Sequence, residues 1–195
     1  MSLLSQLMNA LQILPGVGPK SAQRICFNLL QKNKDKAVKL AAILNQACEQ
    51  IGECQRCRTL TENDICKICL SDKRNPSQLC IVETPADLMQ IEQATDYSGT
   101  YFVLHGHLSP LDGLGPDELG FPKLVDILAK EPINEVIMAT NSTLEGQTTA
   151  QYIAQMCSKA KIKATGLAHG VPLGGELEYV DANTIAHAFG GREVL

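Results

Sequence analysis

The sequence predicts a multi-part protein of mixed α+β and α/β class. It has an N-terminal helical region, a small metal knuckle, a parallel-sheet α/β domain and a short C-terminal segment. Three observations support this prediction. Apolar residues recur at helical spacing through the first 50 residues. Two C-x-x-C pairs, Cys54/Cys57 and Cys66/Cys69, follow directly. Beyond Asn75, short apolar runs alternate with helical patterns, which is typical of a parallel sheet covered by helices.

Three helices are expected in the N-terminal region. The first covers residues 3–14 and ends at a Pro-Gly-Val-Gly-Pro break. The second covers about residues 20–30, and Pro19 suits its first position because proline lacks an N–H that would go unpaired there. Asp35 is predicted to cap a third helix that continues to about residue 50. The predicted inward face of the third helix consists of Val38, Leu40, Ala41, Leu44 and Ala47.

The break between the first two helices has the pattern of a helix-hairpin-helix. Gly16 and Gly18 allow a tight turn with outward-facing amides, next to a helix N-terminus that favours phosphate. Lys20 and Arg24 lie four residues apart, so both can reach one DNA backbone. Proteins with this pattern hold DNA through its phosphates without reading bases. The alternative is an ordinary αα-hairpin, and the nearby lysines are more typical of a solvated helix surface: Lys32, Lys34, Lys36 and Lys39.

The four cysteines of the knuckle are predicted to bind a structural zinc ion. Sulfur-only ligation by four side chains leaves no open coordination position for chemistry. Apolar residues are scarce between Gly52 and Ser71, so zinc would supply most of the folding free energy, on the order of 10 kcal/mol. Two disulfides or a redox C-x-x-C are the alternatives. The remaining cysteines are predicted to be buried core residues: Cys26, Cys48, Cys80 and Cys157.

The α/β domain is predicted from alternating strands and helices. The expected strands are residues 79–83, 100–104, 135–139 and 162–167. The expected helices are residues 85–94, with Thr84 as cap and Pro85 first, then 121–130 and 146–159. A further strand at 174–180 and a terminal helix at 181–189 would complete the chain. Residues 105–120 lack a regular pattern, which is typical of a functional or mobile loop.

Charge is distributed unevenly along the chain. Residues 1–79 contain 11 Lys and Arg against 6 Asp and Glu, whereas residues 80–195 contain 6 against 15. The front part is therefore the one suited to polyanions. Reduced thiols fit a reducing compartment. The N-terminus is predicted to be an amphipathic helix and not a signal peptide, and no apolar run approaches bilayer length. We therefore expect a cytoplasmic protein without a membrane partner.

Two segments of the α/β domain resemble the Toprim domain of topoisomerases and primases. Glu83 ends the first strand, and Asn141-Ser-Thr-Leu-Glu-Gly146 follows a later one. In Toprim enzymes the acidic residues at these places hold magnesium for phosphoryl transfer. Here Asn141 and Thr143 occupy the two Asp positions, while Glu83 and Glu145 remain. Because magnesium prefers anionic oxygens, the change argues against two-metal catalysis. Weak Mg²⁺ binding at Glu83 and Glu145 stays open.

Taken in order, the motifs resemble those of the RecR family of bacterial recombination mediators. The resemblance rests on LPGVGPKSAQR, CQRC with CKIC, VLHGHLSPLDGLGP, TLEG and LAHGVPLGGELEYVD. We divide the chain into a helix-hairpin-helix domain (1–52), a zinc motif (53–78), a Toprim-like domain (79–173) and a C-terminal segment (174–195). The family implies a non-enzymatic, ring-like tetramer that encircles DNA in the bacterial cytoplasm, associated with the nucleoid. It also implies RecO and RecF as partners, which help it load RecA in gap repair.

Carried onto this sequence, the resemblance implies two binding surfaces. Lys20 and Arg24 become contacts to single- and double-stranded DNA, and Glu145 with the loop containing His105 becomes a partner surface. One hairpin offers few phosphate contacts, so a single copy should bind weakly and with strong salt dependence. Several copies in a closed assembly would raise the affinity. The competing interpretations are a metal-dependent Toprim nuclease or topoisomerase-like enzyme, and a purely structural zinc protein.

Overall fold

The computed structural model describes residues 1–168 and 170–192 and separates into two compact units, Met1–Ile51 and Gly52–Leu195. His169, within the LAHGVPLGGELEYVD stretch, lies outside the described residues. So do the last three residues of the segment predicted to run from 174 to 195.

The first unit consists of helices α1 (Leu3–Leu11), α2 (Pro19–Lys32) and α3 (Lys34–Gln50). The α1 helix ends three residues earlier than predicted, because the amides of residues 12–14 bond to carbonyls three residues back. Such bonds tighten the chain into a turn that cannot continue as α-helix. The position of Pro19 at the start of α2 is confirmed.

The prediction for α3 was wrong in two respects. Asn33 precedes the helix, and Asp35 lies inside the first turn without capping it. No residue of α3 is buried: Val38, Leu40 and Leu44 are 57–65% exposed. The buried residues of this unit are Ala22 and Cys26, both on α2. The hydrophobic periodicity identified an apolar face of α3, but periodicity does not show whether other residues of the same chain pack against that face.

The second unit contains a small hairpin and a four-stranded sheet. The hairpin pairs β1 (Gly52–Glu53) with β2 (Leu60–Thr61) in antiparallel fashion. The sheet has the order β4-β3-β5-β6 and all of its pairings are parallel. Its strands are β3 (Asn75–Val82), β4 (Gly99–Val103), β5 (Glu135–Ala139) and β6 (Lys163–Gly166). The helices of this unit are α4 (Pro85–Ala94), α5 (Phe121–Lys130), α6 (Leu144–Lys159) and α7 (Ala182–Gly190).

The sheet is covered on both faces. Along β3, Leu79 and Ile81 belong to a core cluster with side chains of α5 and α6. Cys80 and Val82 belong to a second cluster with Leu88 of α4, against which Ile68 of the cysteine knuckle packs. Burial of both faces explains the continuous apolar run of β3. The predicted parallel α/β architecture is confirmed.

Local capping signals fix the starts of two helices. Thr84 and Asp87 form a reciprocal capping box, with Pro85 at the first helical turn, as predicted for α4. The α6 helix starts at Leu144, two residues before the predicted start, because Thr143 caps it by accepting a hydrogen bond from the Gly146 amide.

Two further predictions were wrong. The expected strand at 174–180 is a short 3₁₀ helix, Leu177–Tyr179, preceded by Gly174 at φ +81°. Cys48 is exposed, whereas Cys26, Cys80 and Cys157 are buried as predicted. Among the described residues, no helix is long and apolar enough to cross a bilayer.

Candidate functional site

The four cysteines of the knuckle converge on one point. Their sulfur atoms all lie within 4.8 Å of one another, and the first three residues are almost fully buried. The amide of Arg58 donates to the Cys54 carbonyl at 2.9 Å and closes the turn of the first pair. Amides also point at sulfur: Cys66 N lies 3.3 Å from Cys54 Sγ, and Cys69 N lies 3.5 Å from Cys66 Sγ. The backbone is thus arranged to stabilise thiolates.

This donor set fits a tetrahedral zinc ion. Zinc–sulfur bonds of about 2.3 Å place the sulfurs about 3.8 Å apart, and Cys57 Sγ lies 3.6 Å from Cys66 Sγ. The alternative of two disulfides is wrong, since all four cysteines are free. The hydrogen bond from the Cys57 thiol lowers the pKa of Cys69 against the opposing effect of burial, and Arg56 strengthens the shift. The thiolate of Cys69, which is the form that binds zinc, is therefore favoured.

Two arginines tie the knuckle to the sheet, and sequence reasoning overlooked both. The Arg56 guanidinium lies 3.7 Å from Cys69 Sγ and donates to Thr100 Oγ1 on β4 and to the Glu131 carboxylate at the end of α5. Arg58 donates to backbone carbonyls on either side of the loop that follows β4. Their position within or directly beside a metal-binding C-x-x-C pair was the signal that could have identified them.

Glu83 and Asn141 meet at the carboxyl ends of β3 and β5. Glu83 is 3% exposed. Its carboxylate accepts hydrogen bonds from the backbone amide and the side-chain amide of Asn141, both at 2.8 Å. His107 Nδ1 lies 3.4 Å from the same carboxylate. An aspartate at position 141 would repel Glu83, whereas asparagine donates to it, so the pair is held by hydrogen bonds without a bridging cation.

The turn after Asn141 packs closely against this pair. Thr143 does not contribute a ligand but caps α6. A Cβ atom at Gly146 would overlap the Asn141 carbonyl and lie 2.8 Å from Glu83 Oε1. Glycine is therefore required after Glu145 for the turn to close over the carboxylate.

Glu145 lines a groove, and His105 is bonded to the knuckle. Glu145 lines a largely apolar groove of about 540 Å³ between the loop after β4 and α6, together with Leu108, Leu114, Pro116, Leu144 and Tyr152. His105 Nε2 is hydrogen-bonded to the Arg58 carbonyl of the knuckle at 2.7 Å. In the part of the chain that the structure describes, the four cysteines are the one group of three or more metal-capable side chains. Mg²⁺ binding at Glu83 and Glu145 stays a prediction.

The hairpin of the first unit presents two exposed cations. Gly16 has φ +76°, which favours glycine, whereas Gly18 is extended and precedes α2. A Cβ atom at either position would meet nothing within 4 Å, so the surface is open. The first turn of α2 has no acidic residue and no side-chain cap. Lys20 and Arg24 are exposed and form no ion pair with any described residue.

Comparison with protein-family models gives four matches in sequence order. Residues 4–48 match the RecR helix-hairpin-helix, and residues 51–71 match the RecR zinc finger domain with four cysteine ligands. Residues 77–168 match the Toprim domain, and residues 170–193 match the RecR C-terminal region. The chain belongs to the RecR family.

Membership in the RecR family supports a role in recombinational repair, and the helix-hairpin-helix domain indicates DNA binding. The zinc-finger match and the sulfur geometry together support structural zinc in this RecR chain. The Toprim match contains Glu83, Asn141 and nearly all of the parallel sheet. A non-enzymatic mediator is consistent with the family, although a Toprim domain alone does not decide between mediator and enzyme.

The zinc site gives a direct test. We expect the purified protein to contain one zinc per chain and Cys66→Ser to lose it, because a buried hydroxyl cannot replace the thiolate. Metal content by mass spectrometry and the thermal unfolding midpoint report the change. Cys48→Ser is the matched control, since Cys48 is exposed and outside the cluster. Full zinc retention in Cys66→Ser would contradict the four-sulfur assignment.

Proposed function

We propose that this RecR protein is a non-catalytic DNA clamp that holds the sugar-phosphate backbone and recruits partners for RecA loading. The observation that carries the proposal is the hairpin of the first unit, with its uncapped α2 N-terminus beside two cations that no described residue pairs. Free amides, an open glycine surface and the side chains of Lys20 and Arg24 suit a phosphate group. Contacts of this kind do not read bases, so binding is sequence-independent on single and double strands.

Uncovered apolar surface supports assembly of several chains, which we propose to be a ring-like tetramer. Val38, Leu40, Ile43 and Leu44 of α3 are each more than half exposed. In the C-terminal region Leu173, Leu177, Tyr179 and Phe189 are 62% exposed or more. Monomeric proteins rarely leave patches of this kind in water. Assembly through such patches would place several hairpins on one DNA molecule and raise the affinity through effective concentration.

The groove beside Glu145 supports a partner surface for RecO or RecF. It is walled by apolar side chains, and the charged residues among its lining, Glu118 and Glu145, are both acidic. An apolar groove with an acidic rim suits a partner segment that carries apolar anchors and basic residues.

The hydrogen-bonded state of Glu83 supports a non-catalytic role. Magnesium would need several free anionic oxygens, and here Asn141 donates to both oxygens of the carboxylate. The competing proposal of a metal-dependent nuclease or topoisomerase-like enzyme has the Toprim match as its support.

DNA binding is tested by the double variant Lys20→Ala/Arg24→Ala. Losing two charge-assisted phosphate contacts per chain should weaken binding on the order of tenfold to a hundredfold and lower the salt slope by about two. Fluorescence anisotropy with single- and double-stranded oligonucleotides over a salt series measures both. The control is Lys73→Ala/Lys159→Ala, which removes two exposed cations elsewhere. Equal affinities for the two double variants would rule out the hairpin as the DNA contact.

The absence of catalysis is tested with supercoiled plasmid and Mg²⁺ or Mn²⁺. We expect neither nicking nor relaxation from the wild-type protein, because Glu83 already holds the turn at Asn141. Agarose gel electrophoresis reports the plasmid forms. Cleavage that disappears in Glu83→Gln would instead establish the enzyme.

Assembly is tested by native mass measurement with and without DNA. The proposal requires a tetramer in the DNA-bound state. The variant Leu40→Glu/Leu44→Glu should shift the particle to lower mass because it places charge on the uncovered face of α3. Lys36→Glu/Lys39→Glu is a control that changes charge at polar positions of the same helix. A strictly monomeric wild-type protein that still holds DNA tightly would contradict the clamp.

The partner surface is tested with Leu144→Glu and Glu145→Lys. Both should weaken RecO or RecF binding measured by calorimetry. Leu144→Glu places a charge on the apolar wall of the groove, and Glu145→Lys reverses the charge at its rim. DNA affinity should stay unchanged, since neither residue belongs to the hairpin. Unaltered partner binding in both variants would remove the groove from the proposal.

A further inference from the structure

Residues 105–120 form one side of the groove. One side chain of the knuckle bonds to both ends of this segment, which we call its base. The Arg58 guanidinium donates to the carbonyl of Leu104, just before the segment, and to those of Glu118 and Leu119 near its end. The same guanidinium lies 5.8 Å from the ring centroid of Phe102 on β4. A planar group with five donors can serve both ends of a loop at once, which a single ammonium cannot do as well.

The knuckle and the segment bond to each other in both directions, and each has a residue with an unusual backbone conformation at the contact. Arg58 has φ +65° and His105 has φ +61°, two of the three non-glycine residues with positive φ that the structure describes. The His105 ring bonds to the Arg58 carbonyl, and Glu53 Oε1 lies 3.5 Å from the same ring nitrogen. Such conformations cost on the order of 1–3 kcal/mol each and persist where surrounding contacts hold them. The junction therefore fixes where the segment leaves the sheet.

The Arg58 guanidinium occupies the space next to Gly120 that a side chain would otherwise fill. Gly120, which ends the segment, has φ +75°, and a Cβ atom there would overlap Arg58 Nη1. Away from this junction the Gly106 amide donates to Glu83 O, the His107 ring lies 3.4 Å from the Glu83 carboxylate, and Leu108 N donates to Thr149 Oγ1. Other hydrogen bonds, such as those between Ser109 and Leu114, lie within the segment itself. None of these contacts joins the two ends of the segment, whereas the Arg58 guanidinium bonds to both.

We propose that the zinc knuckle sets the conformation of segment 105–120, with Arg58 as the positioning residue. The four-sulfur site fixes the turn that carries Arg58, since the Arg58 amide bonds to the carbonyl of the ligand Cys54. Arg58 in turn holds both ends of the segment. Loading of the knuckle with metal is thereby coupled to the shape of the groove, whatever partner the groove binds.

Hydrogen exchange on the full-length, zinc-loaded protein tests the coupling. In Arg58→Ala, amides of residues 106–119 should exchange on the order of tenfold to a hundredfold faster, since three hydrogen bonds at the base are lost. Strands β3 and β5 should stay protected and zinc content unchanged. Arg58→Lys should restore this protection only partly. Arg56→Ala is the matched control, because Arg56 anchors the same knuckle to Thr100 and Glu131 but does not touch the segment.

A second pair of variants approaches the junction from the other side. Gly120→Ala should accelerate exchange at both ends of the segment by displacing the guanidinium. Gly113→Ala introduces the same backbone strain within the segment, at φ +72°, but meets no atom within 4 Å and should leave the two ends protected. Chelation of zinc from the wild type should deprotect the segment while the central strands stay protected.

Unchanged exchange of residues 106–119 in zinc-retaining Arg58→Ala, or equal acceleration in Arg56→Ala, would overturn the positioning role. If Arg58→Ala loses zinc, the comparison of Gly120→Ala with Gly113→Ala replaces it as the test. The positioning role would be overturned if the two ends of the segment stayed protected in Gly120→Ala. It would also be overturned if both glycine variants accelerated exchange equally. A segment that stays protected after zinc removal, or a sheet that deprotects with it, would remove the coupling.

Discussion

The convergence of four cysteine sulfurs is the interaction on which the knuckle and its contacts with the sheet depend. The knuckle has too few apolar residues to fold by burial alone, so metal binding must supply most of its folding free energy. The folded knuckle then contributes Ile68 to one core of the sheet and two arginines to its edge. The Cys57 carbonyl also accepts from the Val103 amide on the outer strand β4. A metal site of four side chains thus positions contacts that reach beyond the knuckle to the sheet and the loop after β4.

In the Toprim domain, the side chain at position 141 determines how the Glu83 carboxylate is held. Asparagine in place of aspartate converts repulsion with Glu83 into donation to it. The carboxylate becomes part of the turn that closes at Gly146, where no side chain fits. The hydrogen bonds to Glu83 thus fix this end of the sheet, and an apolar groove lies between the loop after β4 and α6.

Several features of the chain could be read from local sequence. The boundaries of α4, α5 and β5 follow from caps, prolines and short apolar runs, which act within a few residues. The zinc ligands follow from spacing alone, because two C-x-x-C turns can each present both sulfurs to one ion. The predicted hairpin residues Lys20 and Arg24 are exposed, although their contact with DNA stays a prediction.

Sequence by itself determined the order of the parts, the metal ligands and the missing carboxylates, since each depends on residue type and close spacing. Only the tertiary structure decided which distant groups meet. It placed Glu145 in the wall of an apolar groove, brought His105 to the knuckle and left the apolar face of α3 uncovered. It also revealed Arg58 as the link between the two ends of a loop more than forty residues away in sequence. Such contacts depend on how helices and strands pack, which no short-range pattern encodes.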